Sequence, residues 1–115
     1  MNKLEILCEK FGFNFDSDFT SIKSLFANNG KTIKEIHIDI KANDNDMLLL
    51  RSIEENVTTT MIENNLIVCR KDRAKTVIMD IPVDKIDGCV TKRYGENTEF
   101  VFVLGNVRYK MFVIH

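Results

Sequence analysis

Five consecutive apolar residues, Phe100-Val101-Phe102-Val103-Leu104, are followed by Gly105-Asn106 and then by Val107-Arg108-Tyr109-Lys110-Met111-Phe112-Val113-Ile114. Gly and Asn both tolerate the left-handed backbone of a two-residue hairpin turn, so the segment reads as strand, turn, strand. The first strand has no polar face. It needs cover on both sides, which places it in the middle of a sheet rather than at its edge.

A chain of 115 residues is long enough for one such core and too short for two, so residues 1–115 form a single domain. With 44% hydrophobic and 29% charged residues, the composition is that of a globular protein, and no apolar run approaches the roughly 20 residues that span a bilayer. The opening Met-Asn-Lys-Leu-Glu-Ile-Leu-Cys-Glu-Lys carries two Glu and lacks the apolar centre of a secretory signal, which implies a cytoplasmic protein. Cys8, Cys69 and Cys89 are odd in number, far apart and without neighbouring His. They read as buried thiols rather than as disulfides or zinc ligands. Abundant Ile, Asn and Lys, with no Trp and a single Pro, suggest an AT-rich bacterial or phage genome.

Two helices are expected first. Asn2 and Glu5 have capping-box spacing, Leu4, Leu7, Cys8 and Phe11 share a stripe, and Gly12 ends the segment. Ser17 or Asp18 caps the second helix, Phe19, Ile22, Leu25 and Phe26 form its apolar face, and Asn28-Asn29-Gly30 stops it. The linker Phe13-Asn14-Phe15-Asp16 alternates and reads as a link or a short extended piece with both Phe pointing inward. These elements make residues 1–30 a helical segment and residues 32–115 a sheet.

From Thr32 the period becomes 2, with Ile36, Ile38 and Ile40 alternating with His37, Asp39 and Lys41. Further strands are expected at residues 47–53, at 57–62 joined through Asn64-Asn65 to 66–70, at 75–81 before Pro82, and at 89–93. The fold class is therefore α+β, with two N-terminal helices and a curved, mainly antiparallel sheet of about seven strands. Either the helices cover one side, or the sheet curls into a partly closed barrel. The terminal strand, residues 107–114, is a candidate edge for pairing with a second copy.

The order Thr58-Thr59-Thr60-Met61-Ile62-Glu63-Asn64-Asn65-Leu66-Ile67-Val68, then Ile81-Pro82-Val83-Asp84-Lys85-Ile86-Asp87-Gly88, resembles the core of pleckstrin-homology and GRAM-like domains. The match covers residues 57–114. It implies a curved antiparallel sheet and lipid or protein binding, and it transfers no binding residue. Those families close with a C-terminal helix, whereas this chain places its helices first.

No catalytic, metal or cofactor motif stands out. Glu35, His37 and Asp39 share one face of a strand, the solvated face opposite the Ile stripe. The five Gly sit at separate turns, so no phosphate loop is present, and Asn43-Asp44-Asn45-Asp46 lacks the Gly and Glu of a calcium loop. Charge is the one asymmetry. Residues 1–65 hold 7 basic and 11 acidic side chains, a balance of −4, and residues 66–115 hold 9 and 6, a balance of +3. Arg70, Lys71, Arg73 and Lys75 at one hairpin tip, with Lys92 and Arg93 at another, make an anion-binding candidate. Asp39, Asp44, Asp46, Glu54 and Glu55 make an acidic face for a basic partner.

The reading that follows is a small cytoplasmic, non-enzymatic protein-binding module, an adaptor or inhibitor, without cofactor or metal. The alternatives are an anion-binding module for phosphorylated lipid or nucleic acid, and a phage-type inhibitor of a host defence protein.

Overall fold

In a computed structural model that describes residues 2–27 and 32–115, the chain opens with helix α1, Lys3–Phe11. The Asn2 side chain accepts a hydrogen bond from the Glu5 amide at 2.9 Å, and Gly12 closes the helix at φ +76°. Strand β1, Asn14–Phe15, follows, then a 3₁₀ turn, Ser17–Phe19, and helix α2, Thr20–Ala27. The cap of α2 is neither Ser17 nor Asp18. Asp16 accepts from the amides of Ser21 at 2.7 Å and Ile22 at 2.9 Å, because the intervening 3₁₀ turn brings its carboxylate under the helix start. The expected stop at Asn28-Asn29-Gly30 lies outside the described residues.

Seven strands complete the sheet: β2 Thr32–Ala42, β3 Leu48–Ile62, β4 Asn65–Arg70, β5 Val77–Pro82, β6 Ile86–Tyr94, β7 Asn97–Leu104 and β8 Val107–Ile114. All pairings are antiparallel, in the order β1-β6-β7-β8-β2-β3-β4-β5. The sheet is not closed: β1 and β5 are its outer strands. Strand β8 lies between β7 and β2, so the terminal strand is interior and offers no edge to a second copy. The N-terminal segment is not purely helical, since β1 pairs with β6 through Asn14↔Thr91 and Phe15↔Val90.

The two-sided strand is where the hairpin requires it. Along β7, Phe100 and Phe102 enter the large core with Ile22, Leu25 and Phe26 of α2, while Val101 joins Leu4 and Phe13 in a second, smaller cluster. The helices therefore lie on opposite faces of the sheet, not together on one side. Gly88 permits this, because a Cβ there would stand 3.0 Å from Leu4 Cδ1. Phe13 is buried, but Phe11 and Phe15 are more than half exposed, contrary to the inward orientation that their apolar character suggests. The α1 stripe is completed by Leu4 and Leu7 alone beside Cys8, and Phe15 sits on a two-residue outer strand with one face open.

Strands expected at 47–53 and 57–62 form one strand, β3, bent at Asn56, whose φ is +51°. The alternation changes phase there. Ile36 and Ile38 are buried on one side of the bend and Ile33 on the other, and β3 buries Val57 and Thr59 beyond it. The β3–β4 turn falls at Glu63-Asn64, one residue before the expected Asn64-Asn65, with both residues at positive φ and Ile62 opposite Asn65. Val77 is exposed rather than sharing the buried face of Met79 and Ile81, because the register shifts between Val68 and Cys69. Among the described residues no helix is long and apolar enough to cross a membrane.

Phe102 is fully buried and stacks on Tyr109 with ring centroids 5.0 Å apart and planes 7° from parallel. Phe102→Ala is expected to lower unfolding free energy by about 3–5 kcal/mol, because the rigid strands around it cannot collapse into the void. Chemical denaturation measures this, and a loss below about 1 kcal/mol would show that β7 is not the central strand.

Candidate functional site

Strand β3 is longer than its neighbour on one side. Strand β2 pairs along β3 from Leu48 to Thr58, but β4 ends at Arg70 opposite Val57, so residues 48–55 have a strand partner only on the β2 side. Strand β5, the other relevant outer strand, pairs with β4 alone. Curvature of the sheet turns these two margins toward each other across a groove of about 440 Å³. Consecutive residues of both strands border it: Leu50, Arg51 and Ser52 from β3, and the whole run 76–81 at β5. Successive side chains of a strand point to opposite faces, so a border made of consecutive residues is a strand seen edge-on.

Ile38, Ile40 and Tyr109 line the groove beside these margins. Leu50 is 50% and Val77 55% exposed, and Leu48 and Leu49 of the same strand, with Met47 just before it, are exposed as well. An ion pair links β4 to the groove's margin: Arg70 Nη2 donates to Glu54 Oε1 at 2.7 Å and Nε to Oε2 at 3.2 Å. That bidentate contact, with help from Ser52, holds the Glu54 carboxyl below its ordinary range. No carboxylate–imidazole–nucleophile arrangement occurs in the groove. Its chemistry is that of two strand margins without a strand partner, bordered by apolar side chains and by Arg51, Glu54, Arg70 and Asp80, which suits an extended peptide.

The six cations of the anion candidate are not gathered at one place. Arg70 is committed to Glu54, and Lys71 Nζ donates to Thr32 Oγ1 at 3.3 Å. Arg73 and Lys75 are exposed in the β4–β5 loop. Lys92 and Arg93 lie on β6, five strand steps from β4, roughly 24 Å measured along the sheet at the usual spacing. Lys92 serves α1: its Nζ donates to the Phe11 carbonyl at 2.7 Å and stands 4.9 Å from the Tyr94 ring centroid, satisfying a helix C-terminus. Arg93 has no ion pair among the described residues and borders a separate cleft beside α2.

The acidic candidates also divide. Asp39 is bound bidentately by Arg51, whose hydrogen bonds hold its carboxyl below the usual range. Glu54 faces the groove, Glu55 is exposed opposite Glu35, and Asp44 is exposed in the β2–β3 turn. Asp46 accepts from Lys3 Nζ at 2.8 Å and from Arg108 Nη2, tying α1 and β8 to that turn. His37 bonds Glu35 through Nε2 and Oε1 at 2.7 Å, while Asp39 is taken by Arg51. Among the described residues no group of three or more His, Cys, Asp or Glu could hold a metal ion. Cys89 is buried with its Sγ 3.8 Å from Asp16 Oδ2, and burial, then the Asp16 charge, pushes the thiol far above its ordinary pKa. Cys8 and Cys69 are only half-buried.

Sequence reasoning missed the groove because pairing extent, not residue type, creates it. The signal was Met47-Leu48-Leu49-Leu50, an apolar run at the start of a strand whose other end alternates. Comparison with protein-family models, with curated proteins and with solved structures finds no match. The resemblance of residues 57–114 to pleckstrin-homology and GRAM-like domains thus rests on the residues quoted for it.

Hydrogen bonds from Lys3 and then Arg108 hold the Asp46 carboxyl at about 2. This is below its unfolded value of about 3.9, so its contribution to stability is complete above about pH 4 and is lost as pH falls through about 2. The carboxyl carbon-13 shift of Asp46 is expected to titrate with a midpoint near the folded value. A midpoint near 3.9 would mean that the Lys3–Asp46–Arg108 tie does not form in solution.

Proposed function

We propose that this chain is a non-enzymatic protein-binding module that receives an extended segment of a partner protein in the groove between β3 and β5. The observation that carries this reading is the edge-on border: residues 48–55 and β5 each leave one side of the strand without a strand partner, and both margins face the same groove. An inserted segment supplies main-chain partners to either margin at the ordinary strand spacing of about 4.8 Å.

A native sheet normally protects such an edge with charge, Pro or a covering loop. Here the margin of β3 carries Leu48, Leu49 and Leu50. The ligand is a single extended segment rather than a second copy, because another copy's β3 is the border of a sheet and is too broad to enter a slot with a strand on each side. Its inward side chains are apolar, to meet Ile38, Ile40 and Tyr109, and alternate with polar ones facing water.

Selection from a displayed library of random twelve-residue peptides tests the proposal. Enriched peptides are expected to alternate apolar and polar residues and to shift the amide resonances of residues 48–54 and 77–81. Leu50→Glu combined with Val77→Glu is expected to reduce affinity at least about tenfold by burying charge against the apolar ligand face. Both positions are half-exposed, so unfolding free energy should stay within about 0.5 kcal/mol of wild type. No enrichment, or shifts mapping outside these two strands, would remove the reading.

A further inference from the structure

On the face of the sheet that carries α1, Val101 packs with Leu4 and Phe13, and Glu99, two residues earlier on β7, lies on the same face. The register places Phe112 directly opposite Glu99 and Lys110 opposite Val101, while β2 and β3 add Asp39, Arg51 and Ile53 beside them. These side chains border a cleft of about 450 Å³, within the size range of small-molecule sites. Ile53 alternates along β3 with Ser52 and Glu54, which border the peptide groove, so the cleft lies on the other face of that strand.

Glu99 is the group that packing leaves unfinished. The residue is only 9% exposed, and it lines the cleft, so what surface it keeps opens there. Its cross-strand neighbour on β6 is Lys92, but Lys92 Nζ is held by the Phe11 carbonyl. Its neighbour on β8 is the apolar Phe112. Lys110 remains, with Nζ 3.8 Å from Glu99 Oε1, beyond hydrogen-bond reach, and the Glu99 carboxylate accepts no hydrogen bond among the described residues. The adjacent pair shows the contrast, since Arg51 closes on Asp39 at 2.9 and 3.2 Å. A carboxylate taken out of water without hydrogen bonds is unfavourable until donors reach it, and here both the acceptor and the ammonium donors of the open pair stay available. The apolar part of the cleft is accessible as well. Ile53 is 56% exposed, and the half-buried Phe112 is steadied by edge contacts with His37 and Tyr94 at centroid distances of 6.2 and 5.8 Å.

We infer that this cleft binds an apolar α-amino acid as its zwitterion, with the α-ammonium donating to Glu99, the α-carboxylate accepting from Lys110, and the side chain against Phe112 and Ile53. The two charged groups of such a ligand stand on one carbon, which suits a carboxylate and an ammonium that are themselves 3.8 Å apart. The lining sets Asp39 and Glu99 against Arg51 and Lys110, so a ligand without net charge leaves the balance undisturbed, whereas a ligand with one charge satisfies only one member of the open pair. The site is independent of the peptide groove.

Titration of the full chain with L-phenylalanine, followed by amide resonances, tests the assignment, with phenethylamine and hydrocinnamate as controls that each lack one of the two charges. L-phenylalanine is expected to give saturable shifts at residues 53, 99, 110 and 112 and to bind about tenfold or more tightly than either control. Glu99→Gln keeps the side-chain shape and is expected to weaken L-phenylalanine and phenethylamine about tenfold or more while leaving hydrocinnamate unchanged. Lys110→Gln changes a half-exposed side chain, so it tests the site without depending on how Glu99→Gln folds. It is expected to bring L-phenylalanine down to the affinity of phenethylamine, whose own affinity stays as in wild type. Shifts that do not saturate or that map elsewhere, a control that binds as tightly as L-phenylalanine, or a Lys110→Gln chain that still prefers L-phenylalanine to phenethylamine would overturn the assignment and leave Glu99 and Lys110 as a water-separated pair on the sheet.

Discussion

Cover on both faces of β7 is the constraint from which the rest of the architecture follows. Phe100 and Phe102 project to one side and Val101 to the other, and neither set tolerates water. A single helix can satisfy only one side. The chain therefore places α2 over the Phe side, where Ile22 and Phe26 are fully buried, and passes α1 to the Val side, where Leu4 approaches Gly88. Residues between the helices have to travel around the margin of the sheet to make this change of face. The crossing is fixed by β1, which adds two residues beside β6, and by Asp16, whose backbone amide donates to the Cys89 carbonyl at 2.9 Å while its carboxylate starts α2. Lys92 completes the arrangement from the sheet by holding the last turn of α1 through Phe11.

The bend at Asn56 is the second determinant. A strand of 15 residues cannot remain straight over a core of this size, and a left-handed residue in its middle turns it without ending it. Asn is among the few non-glycine residues that adopt this conformation at low cost. Because β2 changes phase together with β3, the pair keeps one register on both sides of the bend, from Thr32↔Thr58 to Ile40↔Leu50. Strand β4 follows only the part beyond the bend. The length left over is residues 48–55, and the peptide groove exists because β3 continues where β4 has stopped.

Much of the scaffold was legible because it depends on local chemistry. Asn2 and Gly12 mark the ends of α1, the Ile stripe marks β2, and Gly105-Asn106 marks the last hairpin, each through a residue whose conformational preference leaves few alternatives. The failures share a different cause. The polar stretch Glu54-Glu55-Asn56 reads as a break between strands, yet Glu54 is held by Arg70 from β4 and the strand runs through it. Asp16 reads as part of a linker because its two amide partners are five and six residues away. Phe11 and Phe15 read as core because apolar character says nothing about which face a distant element will cover. The two basic hairpin tips stand apart because the topology puts β7, β8, β2 and β3 between β4 and β6, which spacing along the chain does not reveal.

At two margins of the sheet one structural rule stops before another begins. At the groove, pairing ends while apolar character continues, leaving backbone groups and leucines together at a margin. In the α2 cleft, apolar character ends while the strand continues, so in-turned positions carry Thr91, Arg93 and Thr98 instead of aromatic residues. The first mismatch is unfavourable for folding alone, because an apolar edge invites non-specific pairing. Among the described residues, Asp46 is held by Lys3 and Arg108, and Asn65 donates to Asp80 at 2.9 Å. A sheet margin that keeps leucines where pairing has stopped is the kind of local inconsistency that the proposed peptide binding would use.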